Sequence, residues 1–216
     1  MNSIEATDRF NTISTKNYVA RGSLVMICGS MCSGKTEELI RIMSRQLMVN
    51  KNNVQTFKPL LDTRILKTNS KDPARFITSR NGSFLPCIGV NTVKDMELYI
   101  EQNNISTVAI DETHFFDAKQ LIAFVKRIVT NGKKVILAGL DLDFRGEPFG
   151  AMGDLLAYAD NVIKLTAICT RCGKDRYCLT QRTINGEPAH YLDPIIQVGE
   201  NEYEPRCRPC HILRTD

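Results

Sequence analysis

A chain of 216 residues with 43% hydrophobic side chains fits one domain of ordinary size plus a small appendage. Its formal charge of +4, from 28 basic and 24 acidic side chains, suits a site for anionic phosphates and does not imply nucleic acid. No apolar run is long enough to span a bilayer, and the eight cysteines sit in a chain neither small nor visibly secreted, which argues against a disulfide scaffold.

Residues 1–21 are polar and contain Glu5 and Asp8. They lack the apolar core of a signal peptide and the acid-poor character of a transit peptide, so they read as a loose extension of a cytoplasmic protein. A strand is expected over Leu24–Gly29, then a helix over Thr36–Asn50, where Leu39, Ile40, Ile42, Met43 and Leu47 share one face. Val54–Lys58 reads as a strand ending at Pro59, and the polar stretch Lys67–Phe84 as a loop. Beyond it come a helix (Val93–Gln102), a buried strand (Thr107–Asp111), an amphipathic helix (Ala118–Thr130) and a strand (Lys134–Leu140). A short helix (Met152–Tyr158) and a strand (Val162–Leu165) complete a core assigned to residues 22–168. Such alternation predicts an α/β fold with a mostly parallel sheet covered by helices. From Cys169 to Asp216 glycines and prolines break any helix, Thr180–Ile184 and Ile195–Val198 look like short strands, and a lobe this small needs a staple.

Three constellations carry chemistry. Gly29-Ser30-Met31-Cys32-Ser33-Gly34-Lys35-Thr36 is a G-x-x-x-x-G-K-T phosphate-binding loop between a strand and a helix. Its backbone N–H groups and the helix N-terminus cradle phosphate, Lys35 reaches the β/γ-phosphates, and the Thr36 hydroxyl ligates Mg²⁺. Next, Thr107–Ile110 is an apolar strand ending in Asp111-Glu112. Parallel strands deliver their carboxyl ends to one sheet edge, so Asp111 is placed to hold Mg²⁺ and Glu112 to orient or deprotonate a nucleophile. The pair does not say whether that nucleophile is water, as in an ATPase, or a hydroxyl, as in a kinase. Finally, Cys169-x-x-Cys172 and Cys207-x-x-Cys210 form a four-thiolate signature for structural zinc, with an unusually long gap of 34 residues between the pairs. His211 stands outside the pair spacing and Cys178 receives no role. The simple reading of Cys32 is a small side chain facing away from phosphate, and that of His114 is positioning or packing, since Glu112 is the better-placed base.

Taken together, G-S-M-C-S-G-K-T at 29–36, D-T-R at 62–64, A-I-D-E-T-H-F-F at 109–116, G-L-D-L-D-F-R-G-E-P-F-G at 139–150 and the two cysteine pairs resemble the type II, cytosolic-type thymidine kinases. The resemblance runs over about residues 20–212. It implies a RecA-like core, a zinc lobe carrying a lasso loop, a homotetramer, and transfer of the γ-phosphoryl group of ATP to the 5′-hydroxyl of thymidine, with dTTP as feedback inhibitor. Residue by residue, it gives Glu112 the base role and Thr36 with Asp111 the Mg²⁺. Arg64, beside Asp62, would stabilise developing charge, and Phe115 and Phe149 would sandwich the thymine ring. Met31 and Leu140 would line the base pocket. Thr180 and Tyr203, with the backbone at Ile196, Gln197 and Val198, would supply the lasso contacts. The chain departs from the family at His114, where Gln is common, at Cys32, and by one extra residue after Cys172 that affects the Thr180 register.

Two rival readings use the same motifs. A RecA-like ATPase with a nucleic-acid-binding zinc lobe has only Arg171, Lys174 and Arg176 to offer as a basic cluster, with no interleaved aromatics. A zinc-ribbon interaction module with a vestigial nucleotide site conflicts with the intact Lys35, Thr36, Asp111 and Glu112.

Overall fold

The computed structural model describes residues 22–61, 75–196 and 202–215; the 1–21 extension and the expectations on Asp62, Arg64, Gln197 and Val198 lie outside them. The chain begins with β1 (Ser23–Cys28), whose end feeds the glycine-rich loop and then α1 (Lys35–Val49). Leu39, Ile40 and Met43 of α1 are buried, while Glu37 and Glu38 occupy the first turn, where acidic groups complement the helix dipole. After β2 (Val54–Pro59), the strands β3 (Phe76–Thr78) and β4 (Phe84–Pro86) form an antiparallel hairpin that precedes β5 (Ile88–Val90). Next is α2 (Val93–Gln102), which starts in a capping box between Thr92 and Asp95, and then β6 (Thr107–Ile110). A 3-10 turn over Thr113–Phe115 leads to α3 (Ala118–Thr130), capped by the Asp117 carboxylate, and on to β7 (Lys134–Gly139). The core ends with α4 (Met152–Tyr158) and β8 (Asn161–Lys164).

The six core strands form one sheet in the order β5-β2-β6-β7-β1-β8, with every pairing parallel. β7 therefore separates the strand that opens the glycine-rich loop from the strand that ends in Asp111-Glu112, the RecA-like order. Adjacent residues face opposite ways, so each strand feeds two apolar layers. Val108, Ile110, Val135 and Leu137 pack with Met96 of α2, Phe124 of α3 and Leu155 of α4. Ala109, Ile136 and Ala138 pack on the other face with Leu39 and Met43 of α1.

Two expectations are corrected. Phe76–Thr78, inside the stretch read as loop, and Phe84–Pro86, which starts at its last residue, are strands, and their Ile77 and Leu85 are buried in the layer that holds α1. Strands of three residues with one buried side chain each leave no periodic signal. The strand expected over Ile195–Val198 is not formed in its described part, where Ile195 and Ile196 are exposed and lie outside any strand.

The C-terminal lobe pairs β9 (Ala167–Ile168) with β10 (Asp175–Arg176) and sets β11 (Cys178–Ile184) between β12 (Glu187–Pro188) and β13 (Glu202–Cys207). Its own apolar cluster consists of Ala167, Cys169, Cys178 and Cys207. The largest fully buried side chain of the described protein is instead Arg182 of β11. Its guanidinium lies 3.9 Å from the Phe144 ring centroid, donates to the Pro194 carbonyl at 2.6 Å and approaches the Asp193 carboxylate at 3.5 Å. Among the described residues, no helix is long and apolar enough to cross a membrane.

Burying a cation in place of a core makes this lobe sensitive to one substitution. Arg182→Ala is expected to cost about 3 kcal/mol, the low end for breaking a buried pair, because Asp193 can still reach water. Arg182→Lys should not restore it, since an ammonium lacks the planar face that stacks on Phe144. Chemical denaturation followed by fluorescence and circular dichroism checks both; a loss below about 0.5 kcal/mol for the alanine variant contradicts the assignment.

Candidate active site

The glycine-rich loop leaves β1 beside β7 and β8 and closes on itself. Gly29 has φ of 148°, and a Cβ there would stand 2.7 Å from the Leu165 carbonyl oxygen. Gly34, at φ of 86°, caps α1 in the left-handed region that favours glycine. Between them Ser30 is buried, Met31 and Ser33 are partly buried, and Cys32 is exposed at φ of 61°. The Lys35 ammonium is buried and donates to the Ser30 carbonyl at 2.7 Å, so the cation lies inside the curl of the loop.

Register explains why the acids of β6 arrive at the same place. Cys28 lies opposite Gly139, and Ile110 lies opposite Leu137, two residues earlier on β7. Asp111 and Glu112 thus emerge at the level where the glycine-rich loop begins. The Thr36 hydroxyl donates to Asp111 Oδ2 at 3.1 Å across 75 residues of sequence, and Asp111 Oδ1 accepts from the Glu112 N–H at 3.0 Å. Asp111 and Glu112 are 4% and 6% exposed, burial rare for carboxylates without partners. Glu112 adopts φ 49° and ψ 42°, a left-handed conformation that costs a non-glycine residue about 1–2 kcal/mol. A hydroxyl, two buried carboxylates and a lysine at a helix N-terminus can together hold a divalent cation and a polyphosphate.

His114 faces this group. Its Nε2 lies 3.5 Å from Glu112 Oε2, and its Nδ1 accepts the Leu140 N–H at 3.1 Å. Its ring packs against Phe115 and Phe149 at centroid distances of 4.2 and 4.6 Å. Phe115 and Phe149 meet edge to face, 6.2 Å apart with planes at 78°, so they make a corner with His114 rather than two parallel faces. Leu140, Phe149 and Glu112 are all buried at this corner.

Thr180, expected in the lasso, lies within β11, is buried, and accepts the Met31 N–H of the glycine-rich loop at 3.1 Å. Tyr203 lies on β13 opposite Arg182, and Ile196 is exposed. Asp141, two residues past β7, received no role from the sequence, although it lies in the quoted G-L-D-L-D-F-R-G run. It is buried, accepts from the Tyr177 hydroxyl at 2.8 Å and pairs with Lys164 at 3.1 Å. Burial and the Asp141 carboxylate push the Tyr177 phenol up. Burial likewise raises the Cys28 thiol to about 11, which keeps it protonated below the loop.

The ligand atoms of Cys169, Cys172, Cys207 and Cys210 all lie within 4.8 Å of one another, with 3.7 Å between the sulfurs of Cys172 and Cys207. Four thiolates at the usual zinc–sulfur distance form a tetrahedron with edges of about 3.8 Å, so the cluster fits zinc and leaves no open position for catalysis. His211 lies outside it, with its Nε2 3.0 Å from the Phe144 carbonyl oxygen. Cys178 is buried behind the cluster, near the Ala167 carbonyl.

Residues 22–211 match the family described as thymidine kinase. The chain belongs to the thymidine kinase family. Membership makes it a kinase, a phosphoryl transferase whose chemistry needs a nucleotide, and it gives the long gap between the cysteine pairs a place within one family domain. Within this thymidine kinase family member, the part of the site built on the parallel sheet and the part built on β11 are joined directly by the Met31–Thr180 bond.

The purified protein is expected to carry one equivalent of zinc per chain, measured by atomic emission. Cys172→Ser should reduce it below half and lower the midpoint of thermal unfolding, because a metal-bound lobe draws folding free energy from the ion. Full metal content in that variant contradicts the four-thiolate site.

Proposed function

We propose that the protein, in the cytoplasm, transfers the γ-phosphoryl group of ATP to the 5′-hydroxyl of thymidine, giving ADP and dTMP as nucleotide salvage for DNA synthesis. The observation that carries the reading is the convergence of Lys35, Thr36, Asp111 and Glu112 on one sheet edge of a thymidine kinase family member. Lys35 and the backbone of Gly29, Ser30, Met31, Cys32, Ser33 and Gly34 bind the triphosphate. Thr36 and Asp111 hold the magnesium ion that, when bound, neutralises charge on the β- and γ-phosphates. Glu112 accepts the proton of the 5′-hydroxyl as its oxygen bonds to the γ-phosphorus and the bond to the ADP oxygen breaks. The aromatic corner of His114, Phe115 and Phe149, with Met31 and Leu140, forms the wall against the base. Arg64, Thr180, Ile196, Gln197, Val198 and Tyr203 keep the phosphate and lasso roles that the family resemblance implies. A homotetramer and feedback inhibition by dTTP belong to the same reading and rest on family membership alone.

Release of ADP from ATP and Mg²⁺, with each of the four deoxynucleosides and with none, tests the reaction class. Turnover should appear with thymidine and yield its monophosphate, and turnover indifferent to nucleosides defeats the kinase reading in favour of an ATPase. Deoxyuridine should react more slowly, by about 10- to 200-fold in kcat/KM, since a methyl-sized contact contributes only about 1–3 kcal/mol.

Glu112→Gln should lower turnover by roughly 10²–10⁴, the span of a general base, with ATP affinity by calorimetry little changed. Near-normal phosphorylation by that variant removes Glu112 from the base role.

A further inference from the structure

We propose that His114 is a positioning residue for the Glu112 carboxylate, holding Oε2 through its Nε2–H so that the other carboxylate oxygen receives the acceptor's proton. The inference rests on the phosphoryl-transfer reading above and deepens it. The argument begins at Leu140. A backbone N–H can only donate, and the Leu140 N–H points at His114 Nδ1 at 3.1 Å, so Nδ1 is the acceptor nitrogen. A neutral imidazole then carries its one proton on Nε2, which lies 3.5 Å from Glu112 Oε2, longer than a formed hydrogen bond and close enough for a small shift on substrate binding to make one. The ring has little freedom to present any other edge. It is 2% exposed, packed at 4.2 and 4.6 Å against Phe115 and Phe149, and a Cβ at Gly139 would stand 3.1 Å from its Nδ1.

His114 thereby links two strand ends. Leu140 follows β7, and Glu112 follows β6, so the imidazole transmits the position of one to the carboxylate of the other. Glu112 requires such a guide because its own backbone is left-handed and its side chain starts from an uncommon direction. Displacing a reacting group by about 1 Å can cost on the order of 10² in rate, which sets the expected size of the effect.

Two variants separate this role from packing. In His114→Asn, Oδ1 stands as many bonds from the backbone as Nδ1 does and can keep the Leu140 hydrogen bond, but the amide nitrogen falls one bond short of Nε2. His114→Gln restores a donor at the full length. With the full chain, ATP, Mg²⁺ and thymidine, His114→Asn should lower kcat by roughly 10²-fold while the thymidine KM moves less than about 3-fold. His114→Gln should recover most of that loss. In a Glu112→Gln background, His114→Asn should cost nothing further, because the carboxylate it positions is gone. An equal loss in both backgrounds, or a glutamine variant as slow as the asparagine one, overturns the proposal and leaves His114 a packing residue. Should His114→Asn fail to fold by circular dichroism, His114→Phe, which keeps the aromatic packing and has no donor, takes its place: a loss in the Glu112 background that is absent in the Glu112→Gln background supports the proposal, and an equal loss in both overturns it. A wild-type chain inactive on thymidine defeats the underlying reading instead, and that control is separate from every variant.

Discussion

The site depends on parallel register across β6, β7 and β1. Cys28 opposite Gly139 and Ile110 opposite Leu137 mean that three consecutive neighbours end within two residues of one another. Only that alignment lets a hydroxyl on the first residues of α1 reach a carboxylate that follows β6. Side chains alternate along a strand, so a slip of one residue would turn the acids away from the glycine-rich loop. Burial of both faces of the sheet fixes the register, since Val108, Ile110, Ala109, Ile136 and Leu137 fill two separate layers. The chemistry at the rim is thus specified by packing in the core.

At that rim the protein accepts strain. Glu112 is left-handed and buried, two costs that a glycine would avoid. The turn that imposes them is well held, with the Thr113 hydroxyl donating to the Ile110 carbonyl at 3.1 Å and the Phe115 N–H to the Glu112 carbonyl at 3.1 Å. A sharp reversal right after the strand brings the carboxylate, the imidazole and the Phe115 ring to one corner within four residues. A longer, relaxed loop would separate them. Strain of this kind persists where the surrounding structure over-determines it, which is the condition met here.

The sequence made the core legible because its signals were periodic and local. α2, α3 and α4 have the bounds their patterns predict, and the glycine-rich loop and Asp111-Glu112 are contiguous motifs flanked by the elements they need. Four cysteines in two close pairs likewise announce their own proximity. What could not be read depends on contacts between distant segments. β3 and β4 are too short to show a period, and β13 (Glu-Tyr-Glu-Pro-Arg-Cys) has no apolar run because it pairs with β11 rather than filling a core. Asp141, Tyr177 and Lys164 are unremarkable residues singly and become a linked group around the buried Asp141 carboxylate only once β7, β8 and the small lobe meet. The orientation of the His114 ring is set by the Leu140 N–H just past β7, which no spacing along the chain encodes.

The small lobe explains why the four-cysteine cluster belongs beside the glycine-rich loop. It meets the core through polar bonds. Thr180 accepts from Met31, Tyr177 donates to Asp141, Arg145 donates to the Asp193 carbonyl at 2.8 Å, and His211 reaches the Phe144 carbonyl. Such bonds are directional and tolerate little displacement. An apolar cluster of four small residues cannot hold β11 to that tolerance by packing alone. The thiolates lie where they can. Cys178 sits opposite Cys207, and Thr180 sits opposite Pro205, so Thr180 is only two residues along the ladder from a cluster cysteine. A rigid centre at that end would fix the strand pair that touches the glycine-rich loop.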